Sequence, residues 1–247
     1  MKSGPAISLL HARSWHNFVF MCSDSSLGRL LRRCGGTLAV ILCALAAYAT
    51  PPATVTFQFD FPGSDPGHYR VSVDATGHAS YKSNGKLNDQ SEPAESFHME
   101  FTLKSATCSR IFDLARKAHY FKGKVDSGRQ GLASTGAKIL SYDDGGTSTT
   151  AEYNFSPIAA VQQLTDLFQS LSSTLEFGHR LDYYHRYQKL ALDDQLQQME
   201  ASLSPSDPIG MEAIAPILKQ IVNDPTVLNV DRARAIRLLA RAGISGQ

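Results

Sequence analysis

Cysteine is scarce and poorly placed for cross-linking. The 247 residues hold four, Cys22, Cys34, Cys43 and Cys108, and three of them precede residue 50. No pair has the Cys-x-x-Cys spacing of a zinc or redox site. No apolar run approaches the roughly 20 residues that a helix needs to span a bilayer. Net charge is also nearly absent, at +1. Residues 1–49 set Lys2, Arg13, Arg29, Arg32 and Arg33 against Asp24, which leaves residues 50–247 at −3. A mildly acidic body has no electrostatic footprint for nucleic acid, which calls for a basic patch.

The basic residues near the start belong to a recognisable pattern. Arg29, Arg32 and Arg33 precede the apolar stretch from Thr37 to Ala47. Ala47-Tyr48-Ala49 follows as a small-x-small cleavage site, with Thr50-Pro51-Pro52 beyond it. This is the three-part layout of a secretory signal peptide. The expectation is export, cleavage between Ala49 and Thr50, and a periplasmic or extracellular location. Membrane contact would be transient, through the signal alone. A start at Met21 instead of Met1 would leave a signal of ordinary length. Leu42, before Cys43, rules out a lipoprotein reading, which needs a small residue there. With residues 1–49 removed only Cys108 would remain, so no internal disulfide could form.

The expected division is 1–49 as signal and upstream extension, 50–203 as an α+β domain, and 204–247 as a helical hairpin. Val55, Phe57, Phe59 and Phe61 alternate with polar residues, as do Tyr69, Val71 and Val73, and Phe97, Met99, Phe101 and Leu103. A period of two predicts half-buried strands. Residues 79–82 return as a strand after the Asp74–Gly77 turn, and Asp143-Asp144-Gly145-Gly146 predicts a hairpin between strands at 137–142 and 147–155.

Ser105 is expected to cap a helix carrying Cys108, Ile111, Phe112, Ala115 and Ala118. Ser156-Pro157 should start a long helix, with a break or kink near Gly178. Beyond it the stripe Leu181, Tyr184, Tyr187 and Leu190 should form its apolar face. Asp193 is placed to cap a helix through Leu203, Ser204–Pro208 reads as a linker, and two more helices follow. Pro216 should kink or restart the first of these. The second runs from about Val230 to Ala242, with Asp231 at its start, Arg237 and Arg241 near its end, and Gly243 as its C-cap. The fold class expected is an antiparallel sheet packed on two or more helices, with a small all-helical extension.

The pair Ile214–Ile221 and Val230–Leu239, with Asp224-Pro225 between them, is similar to a single HEAT-type helical hairpin. One unit cannot build a solenoid, so it is expected to pack on the long helix. The stretch Tyr69–Tyr81, followed later by an apolar helix, resembles exported bacterial domains of unknown function. That resemblance carries no catalytic residues.

Chemistry-bearing motifs are few. His179 and His185 are six apart and lie on different helix faces, so they make no zinc pair. Asp182 and His185 share a face. Cys108 is expected to be a buried structural thiol. Ser134-x-x-x-Lys138 is one residue too long for the Ser-x-x-Lys of penicillin-binding enzymes. There is no Gly-x-Ser-x-Gly and no phosphate-binding loop, and no metal or cofactor is expected. The remaining candidate is the long glycine-rich loop Lys122–Gly136, with Lys122, Lys124, Asp126, Ser127, Arg129 and Gln130 as ligand-binding residues beside the Asp143–Gly146 hairpin. The function expected is a non-catalytic binding or interaction module for an unidentified protein or small molecule. The alternative is a hydrolase-like secreted enzyme whose site is assembled from scattered residues.

Overall fold

The computed structural model describes residues 51–88, 96–203 and 208–245, all within the unit Thr50–Gln247. The export segment with Ala47, Ala49 and Thr50, and most of the Ser204–Pro208 linker, lie outside the described residues.

The protein is α+β. Its strands are β1 (Thr54–Asp60), β2 (His68–Asp74), β3 (His78–Ser83), β4 (Phe97–Thr102), β5 (Ala137–Asp143) and β6 (Ser148–Tyr153). They form one antiparallel sheet in the order β4-β3-β2-β1-β5-β6. The period-two pattern sets the register. Val55, Phe57 and Phe59 pair with Val73, Val71 and Tyr69 on one side and with Tyr142, Leu140 and Lys138 on the other. That face is buried. Polar residues such as Thr56 and Ser72, whose hydroxyls meet at 3.0 Å, take the other.

Five helices follow the same logic: α1 (Ser105–Lys117), α2 (Ala159–Tyr187), α3 (Leu192–Ser202), α4 (Met211–Asn223) and α5 (Asn229–Arg241). In α2, Val161, Leu164, Phe168, Leu171 and Leu175 recur at helical spacing and are buried. Phe168 stacks on Phe57 of β1, with ring centroids 5.4 Å apart. Burying an aromatic side chain of this kind contributes roughly 1.5–3 kcal/mol. The α4–α5 pair packs on α2 and α3 and shares one core with the sheet. Among the described residues no helix is long and apolar enough to cross a membrane.

Several helix ends differ from the sequence reading. Ser105 is the first residue of α1, not its cap. Lys104 precedes it, and its N–H donates to Glu212 at 3.1 Å while its Nζ donates to the Ala242 carbonyl at 3.0 Å. Tertiary anchors take the place of a side-chain cap. Helix α2 begins at Ala159, and Ser156 Oγ accepts the Ile158 N–H at 3.2 Å as a local turn. Asp193 lies inside the first turn of α3, where it binds Arg234. Helix α4 runs through Pro216 without restarting. At the end of α5, Gly243 sits just past the C-cap at φ 68°, and Ile244 N–H closes onto Leu239 O at 3.0 Å, a Schellman closure.

Helix α2 also runs unbroken through Gly178 for 29 residues. The glycine is there for packing: a Cβ on it would lie 2.2 Å from Ile214 Cγ2 on α4. The apolar stripe beyond it ends early. Leu181 is buried, but Tyr187 and Leu190 are exposed, Leu190 at 83%.

A buried carboxyl beside a polar cleft

The residues expected to bind ligand in the Lys122–Gly136 loop divide into two groups. Val125 is buried and anchors the loop. Asp126 accepts the Gly128 N–H at 2.6 Å and the Asn154 N–H at 3.0 Å. These two bonds hold its carboxyl below the usual carboxylate range. Ser127 N–H donates to Phe155 O at 2.8 Å, and its Oγ accepts the Arg129 N–H at 3.3 Å. Asp126 and Ser127 therefore tie the loop to the end of β6. Lys122, Lys124, Arg129 and Gln130 are exposed. At the neighbouring hairpin, Asp143 and Asp144 accept main-chain N–H groups of Gly145, Gly146 and Thr147, so turn geometry accounts for both.

The histidines go to separate partners. His179 lies flat on Phe97, with centroids 3.9 Å apart. His185 Nε2 is 2.9 Å from Asp224 Oδ2, which Lys189 Nζ also reaches at 2.5 Å. Among the described residues no group of three or more His, Cys, Asp or Glu could hold a metal. Cys108 is buried, with its Sγ 3.6 Å from the Asp74 carbonyl. Burial pushes the thiol up, and nearby Asp74 adds to the shift. Lys138 is also buried, and its Nζ donates to the carbonyls of Thr135, Gly136 and Asn154 and to Thr135 Oγ1 at 2.8–3.2 Å. Desolvation lowers this ammonium.

The most unusual polar group is Glu176. It lies on the core-facing side of α2 and is 1% exposed. Its Oε1 accepts the Tyr81 hydroxyl at 2.7 Å and the Ser83 hydroxyl at 2.5 Å, both from β3. Tyr81 Oη also meets Ser172 Oγ, one turn back on α2, at 2.8 Å. Its Oε2 has no hydrogen-bond donor among the described residues. Gly85 lies over that oxygen, where a Cβ would come within 2.3 Å of it. Burial raises the Glu176 carboxyl and Asp65 adds to this, while the Ser83 and Tyr81 hydroxyls and Arg180 act the other way.

Glu176 borders a cleft of about 450 Å³ along α2. Asp65, Asp166, Gln169, Ser173 and Arg180 are among its walls. Arg180 Nε donates to Gln195 Oε1 at 3.1 Å, and its guanidinium lies over the Phe177 ring. The cleft thus has three carboxyl groups and one guanidinium that already has other contacts. The arrangement suits hydrogen-bond donors and positive charge. It does not make a hydrolytic centre of the usual kind. Ser83 and Ser172, the hydroxyls nearest the acid, are 4% and 3% exposed, and a nucleophile needs substrate within reach.

The sequence reading missed Glu176, Tyr81, Ser83 and Ser172. The hydroxyl partners lie 91 to 95 residues apart along the chain. The available signal was local: a glutamate beside Leu175 on the apolar stripe of a helix, where an unpaired carboxyl is costly. No protein-family model matches the chain, and no curated protein is similar to it.

Proposed function

We propose that the protein is an exported, non-catalytic binding module whose cleft beside Glu176 receives a small organic cation. The observation that carries this reading is the charge of the cleft: the exposed Asp65 and Asp166 line it, with the buried Glu176 carboxyl in its wall. A ligand ammonium in the cleft would pair with the exposed Asp65 and Asp166 and offset the like charges there, because a charge-assisted bond is stronger than a neutral one.

Calorimetric titration with spermidine, and with sorbitol as a neutral comparison, tests this. Saturable spermidine binding that weakens about tenfold or more in the double variant Asp65→Asn/Asp166→Asn is expected, since a lost charge-assisted bond is worth roughly 1.5–3 kcal/mol. Equal binding by the variant, or no saturable binding of spermidine, would remove the reading. The export part rests on the Arg29–Arg33 and Ala47/Ala49 pattern. N-terminal sequencing of the protein from the cell envelope or medium should give Thr50 first.

A further inference from the structure

Asp231 stands in the first turn of α5, fully buried, and neither of its carboxyl oxygens meets a hydrogen-bond donor among the described residues. Its side-chain neighbour is another carboxyl, Asp193, in the first turn of α3. Two ionised carboxylates can only accept hydrogen bonds, so they repel. One proton between them makes a donor and an acceptor.

Among the described residues, the cation bonded to the pair reaches it through Asp193 and not through Asp231. Arg234 Nε donates to Asp193 at 3.1 Å and its Nη1 to Glu200 at 2.9 Å. Arg237 spans both oxygens of Glu200 at 2.9 and 3.2 Å. Arg232 bonds Asn229 through Nη2, while its buried Nε has no partner among the described residues. Helix α4, which packs against α5, carries Glu212, bonded to the Lys104 main chain, and Lys219. Lys189, before α3, goes to Asp224 and Thr226. No guanidinium or ammonium bonds Asp231.

We propose that Asp193 and Asp231 share one proton across the α3–α5 contact, and that loss of this proton loosens the C-terminal helix. The arrangement is a latch that holds in acid and slackens as the pH rises. Burial raises the Asp231 carboxyl first, and Asp193 raises it further. A group raised in the folded state contributes fully below its unfolded value, about 3.9 for aspartate. It loses that contribution as the pH climbs through the folded value. The neighbouring Glu200 and Asp224 are shifted the other way by their cationic partners, so their contributions fail in acid instead.

Hydrogen exchange by mass spectrometry on the full chain tests this, at pH 5 and pH 8 with intrinsic rates corrected. Protection in α5 of the wild type should fall about tenfold or more across that interval, while α1 holds its protection. Asp231→Asn, which is neutral at every pH and can donate to Asp193, should keep α5 protected at both. Asp193→Asn should do the same, and it decides the matter if the Asp231 variant does not fold. Equal protection of wild-type α5 at the two pH values overturns the proposal. A fall that persists in the asparagine variants overturns it as well.

Discussion

Gly178 and Ile214 stand so close that a methyl group on the glycine would lie 2.2 Å from the isoleucine Cγ2. The contact fixes how near α4 can come to α2. Gly178→Ala should therefore force the two helices apart and cost about 1–3 kcal/mol, the usual range for overpacking. Ile214→Ala in the same chain should recover part of that loss, and the two effects should not add. Urea midpoints of the two single variants and the double variant measure the coupling.

Tyr81 and Glu176 offer a second test. Tyr81→Phe removes a hydroxyl that serves both Glu176 and Ser172. Stability should drop by about 1–3 kcal/mol, since acceptors are left buried with fewer donors. Glu176→Gln should act through pH instead. The wild-type carboxyl is raised by burial, so its contribution is complete below the unfolded glutamate value of about 4.3. That contribution fades as the pH rises through the folded value. The thermal midpoint of the glutamine variant should gain on the wild type from pH 4 to pH 8. Parallel curves would show that Glu176 keeps an ordinary affinity for its proton.

The Lys122–Gly136 loop is anchored at both ends, by Val125 and Asp126 at one and by Ala133 and Thr135 on Asn154 at the other. Val125→Ala should cost about 2 kcal/mol by emptying a buried site, and Asp126→Ala should destabilise by freeing the end of β6. Replacing Arg129–Ala133 with glycine and serine should leave the melting temperature almost unchanged, because Arg129, Gln130 and Leu132 are exposed. Circular dichroism melts of the three variants separate anchor from span.

Cys108 should label slowly with a thiol reagent in the native protein and fast in denaturant. Its Sγ is buried against the Asp74 carbonyl, and its thiol is shifted upward, which disfavours the reactive thiolate. Rapid native labelling would place Cys108 on an accessible surface.

The sheet was legible in the sequence because one of its faces is buried and a period of two records that directly. Phe57 and Val71 could be placed on the core side from their neighbours alone. The helix start at Ser105 was read one residue late and the one at Ser156-Pro157 was read too early. Capping preference is worth about 1 kcal/mol, and here Lys104 is fixed instead by Glu212 and Ala242, more than 100 residues away. Gly178 was taken for a break or kink because helix propensity is a local quantity, whereas its use depends on Ile214. The Glu176 cluster joins β3 to α2, and no short-range spacing encodes that meeting. The stripe through Tyr187 and Leu190 failed for a related reason: periodicity shows which residues share a face, not whether anything covers it.

The strand order β4-β3-β2-β1-β5-β6 puts β1 at the centre of the sheet, although it comes first in the chain. Strands β2 to β4 can add to it as a local meander, but Thr54 also lies opposite Asp143, across most of the domain. Removing β1 would therefore not trim an edge. It would leave a three-stranded meander and a separate hairpin, each with a raw edge of unpaired main chain. Such edges recruit other chains, so N-terminal clipping a few residues beyond Pro52 should convert a folded protein into aggregating material, whereas losing the same length from the far end of α5 would leave every strand pair intact.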